Sequence, residues 1–235
     1  LAHLKGHENP AIAVAVYGNR DYDDALVELQ DLLEENGFCV IAGAAFVAQH
    51  SIFTKVAAGR PDEDDRRRMA EFGAMCREKL SGFAPDAHTP IHIKGNRPYK
   101  KAKGVPFQPE CNQNCMKCYA CAKNCPTHSI PLETPWLTRT DTCISCGACI
   151  YLCPTQARGY RGPVFEVAAK GFEAMCAKRR EPELFFKAPP PVEAPALRSR
   201  KTGQETYRFL PGTFLPFPRA ISYFYPRHSQ GMCLW

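Results

Sequence analysis

Two stretches of this chain repeat one cysteine pattern. They are Cys115-Met-Lys-Cys118-Tyr-Ala-Cys121-Ala-Lys-Asn-Cys125-Pro126-Thr127 and Cys143-Ile-Ser-Cys146-Gly-Ala-Cys149-Ile-Tyr-Leu-Cys153-Pro154-Thr155. Each reads C-x2-C-x2-C-x3-C-P, with every matched position offset by 28 residues, and Ala120 matches Ala148 as well. Such regularity marks an internal duplication. Nine of the 13 cysteines fall between residues 111 and 153. The total is odd, and the opening Leu-Ala-His-Leu-Lys-Gly-His-Glu lacks the charged-then-apolar start of a secretion signal. Clustered thiols in a chain expected to be cytoplasmic point to metal rather than to disulfides.

The spacing also selects the kind of metal. Zinc closes with four ligands from two pairs and has no use for three evenly spaced cysteines followed by Cys-Pro. A cubane of four irons and four sulfides wants one thiolate per iron. Three cysteines at x2 spacing wrap a tight loop around one face and reach three irons. The loop cannot turn far enough to reach the fourth, so that ligand comes from the other repeat, the crossover used by two-cluster ferredoxins. One cluster is therefore assigned to Cys115, Cys118, Cys121 and Cys153, the other to Cys143, Cys146, Cys149 and Cys125. Pro126 and Pro154 lack an N–H and turn the chain away after the fourth ligand.

Residues 111–163 thus resemble a bacterial two-[4Fe-4S] ferredoxin. Two features depart from that pattern. Tyr119 stands where the second repeat has Gly147, placing a bulky ring beside the first cluster. Cys111 is a ninth cysteine with no iron assigned to it, and it is read as an unligated thiol.

Upstream the pattern changes. Ala11 to Tyr17 and Phe38 to Val47 are short apolar runs of the kind buried in parallel sheets. Asp21 is expected to cap a helix from Tyr22 to Asn36, stopped by Gly37. Asp62 opens a second helix with acids in its first turn, an apolar stripe of Met69, Phe72, Cys76 and Leu80, and Gly82 past its end. Strand, helix, strand, helix is a parallel βαβα unit.

The run Pro10 to Leu26, with Phe46-Val-Ala-Gln-His-Ser after it, is similar to the second half of a flavodoxin-like domain. Residues 1–186 as a whole resemble the flavodoxin–ferredoxin fusion proteins of anaerobic bacteria. The resemblance implies a fold of α/β plus α+β class, a partial flavodoxin-like βαβα unit followed by the ferredoxin-like domain. It also implies an FMN edge at Tyr17, Gly18, Asn19 and Tyr22, where Gly18 would admit the flavin ring and Tyr22 would stack on it. The first strand and the phosphate loop of that fold are absent from the sequence, which opens on Leu and reads as a piece of a longer product. FMN is therefore not favoured for this chain alone, and two strands need another chain to complete the sheet.

The organisation expected is a partial flavodoxin-like segment at 1–82, a linker at 83–110, the cysteine module at 111–163, a helix at 164–186 and an irregular tail at 187–235. The linker carries a basic group (Lys94, Arg97, Lys100, Lys101, Lys103), read as solvated. The net charge of +6 belongs to the tail, since residues 1–186 hold 23 basic and 22 acidic side chains. A body so balanced offers no footprint for nucleic acid. No apolar run reaches the ~18 residues of a membrane span. The function expected is transfer of single electrons between redox protein partners. The alternatives are a flavin-dependent oxidoreductase fed by the clusters, or a protein in which clusters only hold the fold.

Overall fold

A computed structural model describes residues 3–101 and 104–186. The expectations for Lys103 and for 187–235 lie outside the described residues. Strand β1 (Pro10–Tyr17), helix α1 (Ala25–Glu35), strand β2 (Cys39–Val47) and helix α2 (Glu63–Ser81) follow in order. β1 and β2 pair in parallel, from Pro10 opposite Cys39 to Tyr17 opposite Val47.

Helix α1 starts at Ala25, later than Tyr22, because residues 21–24 form a turn of their own. Asp21 Oδ1 accepts the Asp23 N–H at 3.0 Å, and Asp23 has a left-handed φ of 46°. Asp24 stands at the N-cap without capping. Its carboxylate instead accepts the backbone N–H groups of Asn96 at 2.8 Å and Lys100 at 2.7 Å. Helix α2 keeps its sequence signals. Asp62 and Asp65 form a reciprocal capping box, each carboxylate accepting the other's backbone N–H at 3.0 Å. Phe72 and Cys76 are buried with Met69 beside them. Leu80, expected in the same stripe, is exposed.

The segment 83–110 differs from a linker. Ile91 and Ile93 are buried in the same core as Leu26, Val27 and Val40. Gly43 of β2 makes room for them, since a Cβ there would stand 2.7 Å from Ile93 Cδ1. The basic side chains of this segment pair with the body: Lys94 with Glu183 at 2.6 Å, Arg97 Nε with Asp31 at 2.7 Å, and Lys100 with Asp23 at 2.9 Å.

The region expected as one helix to residue 186 is a helix and a strand. Helix α5 spans Pro163–Met175, and the last strand, Glu183–Phe186, pairs antiparallel with β2. The helix ends at Met175 with Cys176 as its C-cap, and Pro182 disfavours the helical region for Glu181 just before the strand. The sheet therefore has three strands, with β2 in the middle and β1 and the 183–186 strand at its edges. Helix α1 and the Ile91–Ile93 segment contribute to the core on one face. Helix α2 packs on the other face with Leu184 and Phe186.

The cysteine module sits between α2 and α5. A two-stranded ladder, β3 (Glu110–Cys111) with β4 (Arg158–Gly159), closes it, and two four-residue helices, α3 (Ala120–Lys123) and α4 (Ala148–Tyr151), lie within. With β3 and β4 placed, the 183–186 strand is β5. Phe53, Val56 and Cys176 form a third apolar cluster with Phe107, Phe165 and Phe172, joining α5 and the 52–57 loop to the segment that enters the module.

Candidate metal centre

The duplication seen in the cysteines extends to the backbone. Positive φ values recur at the 28-residue offset: Lys117 (55°) and Ser145 (54°), Tyr119 (62°) and Gly147 (77°), His128 (53°) and Gln156 (52°). The fourth cysteine of each repeat is also held alike. The Ser129 N–H donates to Cys125 Sγ at 3.2 Å and the Ala157 N–H to Cys153 Sγ at 3.2 Å. Thr127 and Thr155 place their hydroxyls 3.7 Å from those same sulfurs.

Two cavities result. The first is lined by Cys115, Cys118 and Cys121 from one repeat and Cys153 from the other. The second is lined by Cys143, Cys146 and Cys149 with Cys125. The eight cysteines named from the sequence are thus brought together around these two cavities. Cys111 also lines the first cavity, a fifth thiol there that the spacing did not place. Among the described residues, no group of His, Cys, Asp or Glu side chains is gathered as a single metal ion needs. The thiols instead surround a space, which suits a group of several atoms.

The two fourth-position thiols are prepared to ionise. Burial works against the Cys125 thiolate, but hydrogen bonds from Thr127, Ser129 and the Ile130 backbone outweigh it and lower the pKa. For Cys153, hydrogen bonds from the backbones of Arg158, Ala157 and Thr155 and from the Thr155 hydroxyl likewise overcome burial. Burial pushes the Cys149 thiol up to about 12, against the pull of the Arg158 charge.

The surroundings of the two cavities differ. Cys118 is exposed, and Met116 and Tyr119 line its cavity while remaining open to water. The Lys117 ammonium lies 5.4 Å from the exposed Trp136 ring. On the second cavity's side, the Ser145 hydroxyl donates to the Phe107 carbonyl at 2.6 Å. The Tyr160 hydroxyl donates to the Ser145 carbonyl at 2.8 Å.

The four residues expected along an FMN edge are brought together, but against the chain's own C-terminal segment. The Asn19 side-chain amide donates to the carbonyls of Cys176 and Lys178, both at 2.9 Å, and accepts the Arg180 N–H at 2.9 Å. The Tyr22 hydroxyl donates to Glu183 at 3.1 Å. Its ring meets Tyr17 edge-on at 5.3 Å. A Cβ on Gly18 would stand 2.6 Å from the His50 ring, so the close approach that glycine permits here is to His50.

A model of the 4Fe-4S dicluster domain family matches residues 114–157, the span that holds both repeats. No curated protein matches the chain. The molecule is a mixed α/β structure with a small sheet built on a parallel β1–β2 pair and a ferredoxin-like 4Fe-4S domain. That domain gives the chain an iron–sulfur electron-transfer role. No helix among the described residues is long and apolar enough to cross a membrane.

Proposed function

We propose that the chain is a low-potential, cytoplasmic electron carrier that holds two [4Fe-4S] clusters and passes single electrons between redox proteins. The observation that carries this reading is the sorting of eight cysteines into two cavities, each with three thiols from one repeat and one from the other. Cys115, Cys118, Cys121 and Cys153 would hold the first cluster; Cys143, Cys146, Cys149 and Cys125 would hold the second. When bound, each cluster supplies a one-electron couple. The protein's part is to offer thiolates in fixed places, to donate N–H groups to their sulfurs and to limit water around them.

The α/β body is proposed to be a flavodoxin-like remnant that braces the module without FMN, because Asn19 and Tyr22 are already engaged by residues 176–183. β1 lies at an edge of its sheet and carries exposed Ile12 and Val14. A strand from another chain would complete the sheet there.

One anaerobic preparation, assayed for iron, sulfide and flavin, tests the reading. About eight irons and eight sulfides per chain and no flavin are expected from two cubanes. Two zinc atoms without sulfide would end it, and stoichiometric FMN would return the flavin-dependent alternative. Cys125→Ser should then remove the cluster shared with Cys143, Cys146 and Cys149. If the EPR signal lost is the one also lost in Cys115→Ser, the crossover assignment is wrong.

A further inference from the structure

Duplication provides an internal control for every position of the module. Most equivalent positions around the two cavities carry similar residues: Thr127 with Thr155, Ser129 with Ala157. One pair differs in charge. Ile130 lines the second cavity and Arg158, 28 residues on, lines the first. Both are almost wholly buried, at 4% and 3% exposure.

A buried guanidinium needs compensation, because removing an ion from water costs several kcal/mol even after relaxation. Arg158 obtains part of it from neutral acceptors. Its Nη1 donates to the Thr138 hydroxyl at 2.6 Å and the Pro109 carbonyl at 3.3 Å. Its Nη2 donates to the Leu137 carbonyl at 3.1 Å and to the Pro135 carbonyl. None of these acceptors is a carboxylate, and the Nε–H is buried without any partner among the described residues. Pairing of Arg158 with Cys111 in the β3–β4 ladder fixes the backbone from which this side chain extends. The structure therefore holds a positive charge against a thiol-lined cavity, with one donor unused and no carboxylate paired with it among the described residues.

We propose that Arg158 is a fixed counter-charge to an anionic cluster in the first cavity, making that site easier to reduce than its twin. The inference rests on the two-cluster reading above. Four thiolates make the bound cubane anionic, and reduction adds one more negative charge. A nearby cation favours the more negative state, as it favours the charged form of a carboxylate. At the second cavity Ile130 supplies no such charge; Arg158 also attracts the Cys149 thiol there, but the cavity it lines is the first. Arg158 acts as a positioning and tuning residue, and electrons arriving at this chain would rest at the first site. The low-potential second site would be the stronger donor.

The test is an EPR-monitored redox titration of the full holoprotein, with Cys118→Ser identifying the signal of the first cluster. Absence of iron and sulfide from the wild type would defeat the two-cluster reading itself. With both clusters present, the first cluster is expected to have the higher midpoint; the reverse order would overturn the proposal without any Arg158 variant. Arg158→Gln should then lower the first midpoint by about tenfold in the reduction equilibrium, about 59 mV for one electron. The second midpoint should move less. Arg158→Lys, which keeps the charge but not the hydrogen-bonding fork, should stay near the wild type. Equal shifts in Gln and Lys variants, or a larger shift at the second cluster, would assign Arg158 a purely structural role and overturn the proposal.

Discussion

The α/β body and the cysteine module are interior to different degrees. Around the sheet, buried side chains are mostly apolar and continuous, from Ala13 and Leu26 through Val40 to Ile93, with a second layer at Phe46, Phe72 and Cys76. In the module few apolar side chains are buried, chiefly Ala122, Ile130 and Ala157, and much of the inside is two thiol-lined cavities. A body of the first kind is held by area removed from water. A module of the second kind is held by whatever its thiols bind, as metal-dependent small domains are. Length alone does not tell the two apart, and the nature of the buried atoms does.

Removing iron should break the comparison most visibly. After anaerobic chelation and acidification to release sulfide, followed by return to neutral pH, amides of residues 111–159 should lose hydrogen-exchange protection. Those of β1, β2 and α1 should keep most of theirs. Uniform loss across both regions would show that the body depends on the clusters. The seam at Phe53, Phe107, Phe165 and Phe172 would then be carrying stability in both directions.

A variant in the body should do the opposite. Asp65 is fully buried and pairs with Arg60, whose Nε donates to it at 2.7 Å. Asp65→Asn leaves the Arg60 charge buried without its partner, a loss of about 3–5 kcal/mol. Cluster content at neutral pH should be unchanged. Arg60's hydrogen bonds, the largest influence, hold the Asp65 carboxyl below its ordinary 3.8. Because the folded value is the lower one, this stability is present above pH 3.8 and disappears as pH falls through the folded value. Denaturant melts of an anaerobic sample at pH 7, at pH 4 and below pH 3.8, beside the Asp65→Asn variant, should show the wild type's advantage nearly intact at pH 4 and shrinking only below 3.8. A variant as stable as wild type at pH 7 would mean the pair contributes nothing net.

The module was the easier half to read from sequence, for a physical reason. Ligand spacing in a tight loop is local, so C-x2-C-x2-C-x3-C-P encodes both the loop and the thiols it presents. The body depends on distant partners. Ile91-His-Ile93 already alternated apolar and polar, a strand-like signal hidden among prolines, and its contact with Gly43 could not be inferred from either segment alone. Pro182 followed by Leu184-Phe185-Phe186 was likewise a usable strand signal, overlooked beside the helix before it. Tyr17 and Tyr22 meet edge-on, but no local pattern could reveal that residues 176–183 would engage Asn19 and Tyr22. Arg158 was missed because a single arginine becomes informative only once it is known to be buried and facing no carboxylate.

The smallest effect expected lies where body and module touch. Gly147 and Tyr119 occupy the same left-handed place in the two repeats, at φ 77° and 62°. Gly147 abuts the body: a Cβ there would stand 3.3 Å from the Ser51 carbonyl oxygen. Gly147→Ala therefore adds left-handed strain of about 1–2 kcal/mol, together with a tight contact that Ser51 must relieve by shifting. Tyr119→Gly removes the corresponding strain from the first repeat. It also returns about 0.5–1 kcal/mol of backbone freedom to the unfolded chain and gives up the contacts of a ring that is 39% exposed. These terms nearly cancel, so denaturant melts of the holoprotein should show Gly147→Ala clearly destabilised and Tyr119→Gly within about 1 kcal/mol of wild type. If Tyr119→Gly proves as damaging as Gly147→Ala, the ring rather than the backbone holds the first loop. The two repeats would then differ in how they are built as well as in their surroundings.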